Sequence, residues 1–107
     1  MGVRSGEFVF VSGQGPLNLE TGAIVGETVT EQTQVTLDHV ETVLQAAGLD
    51  LDDVIKVNAY ITGPDHYDEF NESYASYFDE PYPARSCIVT DLIYDEMTVE
   101  IEAIAKE

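Results

Sequence analysis

Four consecutive residues, Phe8-Val9-Phe10-Val11, restrict the fold more than any other stretch of the chain. In a strand, successive side chains point to opposite faces. The two phenylalanines therefore load one face and the two valines the other, and the strand needs cover on both. β-Branched and aromatic content predicts a strand from Glu7 to Ser12. Gly13-Gln14-Gly15-Pro16 then reads as a break. It is either a plain turn or a bend whose glycines let a backbone N–H approach a ligand closely.

The same demand returns near the C-terminus. In Pro83-Ala84-Arg85-Ser86-Cys87-Ile88-Val89, Arg85 and Cys87 share one face of a strand, and Ala84, Ser86 and Ile88 share the other. A last strand is predicted from Thr98 to Ala105, with Glu100 and Glu102 facing one way and Val99, Ile101 and Ala103 the other. Asp91 to Glu96 connects the two.

Between these ends the pattern changes period. Thr28-Val29-Thr30-Glu31 has the form of a capping box. Val29, Thr33, Leu37, Val40, Leu44 and Ala47 then recur at helical spacing, with Gly48 placed as a C-terminal cap. His39 falls on the polar flank and reads as a surface residue. Before this helix, Leu17-Asn18-Leu19 and the run from Glu20 to Val25 read as short extended arms joined at Gly22. Val54 to Ile61 is a strand whose apolar face is Ile55, Val57, Ala59 and Ile61. Gly63-Pro64-Asp65 opens a second helix, about His66 to Phe78, with Tyr67, Phe70, Tyr74 and Tyr77 or Phe78 as its buried stripe.

One domain, residues 1–107, accommodates all of this as an α+β fold with two helices on one face of a sheet. Two helices cover one face only, while several strands are apolar on both. A second copy of the chain is therefore expected on the open face, giving a homo-oligomer.

Charge narrows the function. The chain has 4 Lys+Arg against 21 Asp+Glu, a net charge of −17. Such a field repels phosphate backbones, which makes nucleic acid a poor ligand, and suits a salt-rich cytoplasm in which self-repulsion is screened. The single cysteine excludes an intrachain disulfide or a multi-cysteine metal site. No apolar run reaches the ~20 residues a membrane helix needs, and no secretory leader is visible, so a cytoplasmic protein is expected. The glycines at 13 and 15 lack the lysine and spacing of a phosphate loop. His39 and His66 are too sparse for a metal site.

Arg85 is the candidate that remains. A guanidinium in an apolar, Pro-led run needs an anion. Either Glu100 or Glu102 supplies it across neighbouring strands, or the fork is kept for a substrate carboxylate with a glutamate nearby to handle water.

Pro83-Ala84-Arg85-Ser86-Cys87 followed by Val99-Glu100-Ile101-Glu102-Ala103-Ile104-Ala105 resembles the C-terminal signature of the Rid/YjgF family of reactive-intermediate (enamine/imine) deaminases. Phe8 to Gln14, with its Ser12-Gly13-Gln14 bend, is similar to that family's first long strand. Ala46-Ala47-Gly48-Leu49, Asp53 to Lys56 and Phe70 to Tyr74 extend the likeness along nearly the whole chain. The resemblance implies a chorismate-mutase-like α+β fold with a mixed sheet, assembled as a homotrimer with sites between subunits and needing no metal or organic cofactor. It implies that Arg85 clamps a 2-imino or 2-keto carboxylate and that the backbone at Cys87 assists. In the same frame Glu100 holds the attacking water, and Ser12 and Gly13 line the cleft. The implied reaction is hydrolysis of an imine such as 2-iminopropionate to a keto acid and ammonia. Active members carry an N-terminal Gly-Pro-Tyr segment that this chain, starting Met1-Gly2-Val3-Arg4, does not show; either its start is truncated relative to the family or another residue, such as Tyr94, substitutes. The alternatives are a trimeric carboxylate-binding module without turnover, and a ribonuclease or translation inhibitor, which the charge disfavours.

Overall fold

The computed structural model describes residues 1–107. In chain order the elements are β1 (Gly2–Ser5), β2 (Phe8–Gln14), α1 (Val29–Ala46), β3 (Val54–Ile61), α2 (Tyr67–Ala75), β4 (Ala84–Val89) and β5 (Val99–Lys106). Short 3₁₀ turns at Leu51–Asp53 and Pro64–His66 lead into β3 and α2. One five-stranded sheet runs in the order β1-β2-β5-β3-β4. Only β3 and β4 are parallel, which makes the sheet mixed.

Both helices lie on the same face. Val9, Val11, Val57, Ala59, Ile61, Val99, Ile101, Ala103 and Ala105 point toward them and join Leu37, Val40, Leu44, Phe70, Tyr74 and Phe78 in one core. Val9 and Val11 are thus the buried half of the opening pattern, and Phe8 and Phe10 stay on the open face, 37 % and 43 % exposed.

The start of α1 follows its sequence signal. Thr28 Oγ1 accepts the Glu31 N–H at 3.1 Å. The Glu31 carboxylate reaches back to the Glu27 N–H at 3.3 Å, one residue earlier than a capping box requires. Gly48 adopts φ 79°, the left-handed conformation expected after a helix end. The two arms before the helix meet as a single antiparallel bridge, Leu17 to Ile24.

Several expectations need correction. β1 was not visible in the sequence; it pairs with β2 through a two-residue turn in which Gly6 takes φ 58°. β2 does not stop at Gly13. It runs on to Gln14 through a bulge, since Val11 pairs with Ala103 and Gln14 with Ile101, leaving Ser12 and Gly13 opposite Glu102. In β3 a register irregularity between Val54 and Lys56 buries Val54 and turns Ile55 outward, 44 % exposed. The second helix is shorter than expected, and Tyr67 at its start lies 40 % exposed rather than in the buried stripe. His39 is partly buried, its Nε2 2.6 Å from the Leu17 carbonyl oxygen, tying the arms to α1.

Candidate active site

β4 carries Arg85 and Cys87 on the helix side of the sheet, in register with Val57 and Ala59 of β3. The Arg85 guanidinium carbon sits 4.7 Å from the centre of the Tyr74 ring, 5.7 Å from Phe70 and 5.9 Å from Tyr67. These three rings project from one side of α2 at helical spacing, so the aromatic stripe is both core and cradle. Nη2 of Arg85 donates to the Tyr67 hydroxyl at 3.1 Å.

No carboxylate pairs with this cation. The single salt bridge of the chain is Arg4 to Glu107, at 2.7 Å. The structural ion pair with Glu100 or Glu102 is therefore absent, for a topological reason: β3 stands between β4 and β5, and both glutamates point to the opposite face. Arg85 lines a hollow of about 340 Å³ together with Asn71, Tyr74, Ala75, Tyr82 and Pro83. Burial drives the Tyr74 phenol up to about 12, against the opposing pull of Arg85. Cys87 packs against the core, and burial pushes its thiol upward while Arg85 pulls the other way. It is a small core side chain with no activated thiolate.

Glu100 lies on the open face with a second set of residues. A Cβ built on Gly13 would stand 2.7 Å from Glu100 Oε2, so the glycine leaves the carboxylate room to lie directly against the strand. Glu102 accepts from Tyr60 Oη at 2.9 Å and from Asn58 Nδ2 at 3.0 Å. Burial first, and the neighbouring Glu102 charge second, hold the Glu100 carboxyl above its usual range. Tyr60, Thr90, Asp91, Leu92, Ile93, Glu100 and Glu102 line an open hollow of about 220 Å³.

The predicted residues thus fall into two groups. Arg85 and Cys87 are together on one side of the sheet, and Ser12, Gly13 and Glu100 on the other; a single chain does not bring the groups into one cleft. Tyr94 lies half exposed in the connection before β5 and joins neither. The first group offers a cationic fork on an aromatic floor, suited to a planar carboxylate. The second offers a carboxylate of raised proton affinity, suited to orient or deprotonate water.

The whole chain, residues 1–107, matches the profile of the family described as Endoribonuclease L-PSP. The chain belongs to the Rid/YjgF family. Among relatives in this family, a RutC family protein of Pyrococcus horikoshii is 39 % identical over 96 % of this chain and 82 % of its own length. A 2-iminobutanoate/2-iminopropanoate deaminase of Salmonella typhimurium is 36 % identical over 97 % of this chain and 83 % of its own. Escherichia coli TdcF, solved with bound serine, superposes with a TM-score of 0.90 at 41 % identity, covering 99 % of this chain and 85 % of that one. The Rid/YjgF fold expected from the sequence is the fold observed, and the deaminase names among its relatives support a deaminase-like activity.

Two further groups bear on the site. Tyr67, expected in the buried stripe, turns its hydroxyl to Arg85. Gln32 was not singled out, although it falls on the buried stripe of α1 beside Thr33, where a long polar side chain requires partners.

Proposed function

We propose that the protein hydrolyses 2-imino carboxylates, in equilibrium with their enamines, to 2-keto acids and ammonia, at sites shared between copies of the chain in a homotrimer. The observation that carries this reading is the unpaired Arg85 guanidinium, in a chain with 21 Asp+Glu. An anion-binding group left unneutralised amid so many carboxylates is explained by an anion from outside.

Arg85 grips the substrate carboxylate with two parallel N–H donors, and the backbone beside Cys87 assists. Glu100 of the adjoining copy, with Ser12 and Gly13 beside it, takes a proton from water as the water oxygen bonds to the C=N carbon and the imine nitrogen is protonated. The carbinolamine then loses its C–N bond: the hydroxyl proton passes to the amino nitrogen, ammonia departs, and the C=O bond of the keto acid forms. One water is consumed and one ammonia released. Imines hydrolyse readily without help, so positioning is most of what a protein must add. The open face of the sheet, with Val3, Phe8, Phe10 and Ile88 exposed, supports the assembly. In a trimer that face meets another copy and carries Glu100 toward a neighbour's Arg85.

2-Iminopropionate generated in place from 2-aminoacrylate, with semicarbazide as competitor, tests the reading. Added protein is expected to divert the imine from semicarbazone to pyruvate, and Arg85→Ala to abolish the diversion. Equal semicarbazone with protein and with buffer overturns turnover.

A second reading, carboxylate binding without turnover, draws on the separation of Arg85 from Glu100 within one chain. It expects 2-oxobutanoate to raise the melting temperature with no effect on imine loss. The charge of −17 weighs against a ribonuclease role and suits a salt-rich cytoplasm.

A further inference from the structure

Gln32 occupies a core position of α1 with 3 % of its surface exposed. All four of its hydrogen-bonding positions are used. Nε2 donates to the carbonyl oxygens of Gly26 at 3.2 Å and Glu96 at 2.9 Å. Oε1 accepts the Thr98 N–H at 2.7 Å and the Thr98 hydroxyl at 2.8 Å. Two partners are carbonyls and two are donors, so the carboxamide has one orientation that satisfies every contact.

The residues held in this way flank Met97, itself 3 % exposed, whose Cε lies so near Gly15 that a Cβ there would stand 2.5 Å away. The Thr98 carbonyl accepts the Thr62 N–H at 3.2 Å, which starts the pairing of β5 with β3. Upstream the connection is open to solvent, with Ile93 85 % and Tyr94 50 % exposed. Gln32 therefore anchors the inner end of an otherwise exposed segment. Glu100 stands two residues beyond Thr98, and Thr90 to Ile93 of the same segment wall its hollow.

We propose that Gln32 is a positioning residue for Glu100: its carboxamide fixes the connection between β4 and β5 and the first residues of β5, and so aims the carboxylate and shapes the wall of the water-side hollow. The proposal rests on the reading of Glu100 as the group that orients water. None of the hydrogen bonds of Gln32 goes to Arg85, and Gln32 does not line the hollow beside it. Its loss therefore acts on kcat and leaves the carboxylate grip, read through KM and keto-acid affinity, unchanged.

The test compares wild-type protein with Gln32→Leu, which removes all four bonds, and Thr98→Val, which removes the 2.8 Å hydroxyl bond while keeping shape. Turnover of 2-iminopropionate, affinity for 2-oxobutanoate, amide exchange across 91–98 and the titration of a carbon-13-labelled Glu100 carboxyl are read on each. Gln32→Leu is expected to lower kcat by about 10- to 100-fold, the scale of loss from a small misplacement of a reacting group. Affinity for the keto acid holds, exchange across 91–98 rises, and the Glu100 titration moves toward the ordinary carboxylate range. Thr98→Val shifts each readout the same way by less. A folded Gln32→Leu with wild-type kcat, exchange and titration overturns the proposal, as does a loss confined to KM. Should Gln32→Leu not fold, wild-type values throughout in Thr98→Val overturn it. A wild-type protein that turns nothing over defeats the deaminase reading separately, and exchange and titration still decide the role of Gln32.

Discussion

Replacing Arg85 by Met keeps an unbranched side chain able to lie on the Tyr67, Phe70 and Tyr74 rings, and removes the charge and every donor. One of the five guanidinium N–H groups is engaged by the Tyr67 hydroxyl at 3.1 Å. The others include the parallel pair that a carboxylate uses. Charged hydrogen bonds contribute about 1.5–3 kcal/mol each, and the two in a fork are not independent, so the loss on binding is about 3 kcal/mol. At about 1.4 kcal/mol per factor of ten, the Kd for 2-oxobutanoate rises by about 100-fold. Arg85→Lys keeps the charge and loses the fork, and falls between, at about 10-fold. The stacked guanidinium also contributes about 0.5–2 kcal/mol through the rings, which methionine packing partly replaces, so the melting temperature changes little. Isothermal titration calorimetry on the three proteins at one salt concentration reads the affinities. A folded Arg85→Met binding the keto acid within about twofold of wild type, well below one factor of ten per 1.4 kcal/mol, refutes the fork.

Two other outcomes follow from charge. Burial first, and the neighbouring Glu102 charge second, hold the Glu100 carboxyl above its ordinary value in an unfolded chain. The folded state therefore holds this proton more tightly than the unfolded chain, and the group's contribution to stability falls as pH rises from that value through the raised one. Glu100→Gln is expected to flatten this part of the stability-against-pH curve in urea titrations, and to abolish turnover. With a net charge of −17, the melting temperature is expected to climb with NaCl as the screening length falls from about 10 Å at 0.1 M to about 3 Å at 1 M; a scanning-fluorimetry series that is flat in salt contradicts the self-repulsion argument.

α1 was legible because its signals agree: an apolar stripe at helical period, Thr28 at the cap and Gly48 past the end. β1 was not, because Gly2-Val3-Arg4-Ser5 carries no apolar alternation and owes its strand form to pairing with β2. Val54 and Ile55 exchange faces because a local irregularity in pairing overrides strict alternation. The sequence could isolate Arg85 as a cation in need of an anion. It could not exclude Glu100 as that anion, since the order that puts β3 between β4 and β5 is a long-range property of the sheet. For the same reason the division of the site residues between two faces became visible only with the strands assembled.

That division gives the most direct test. Arg85→Ala and Glu100→Gln chains, each inactive alone, are refolded together in equal amounts. In a closed ring whose seams each take Arg85 from one copy and Glu100 from the next, about a quarter of the seams receive both intact groups. The account predicts recovery to about a quarter of wild-type imine hydrolysis on that counting. Activity no higher in the mixture than in either parent contradicts it, because the two groups would then have to act from a single chain.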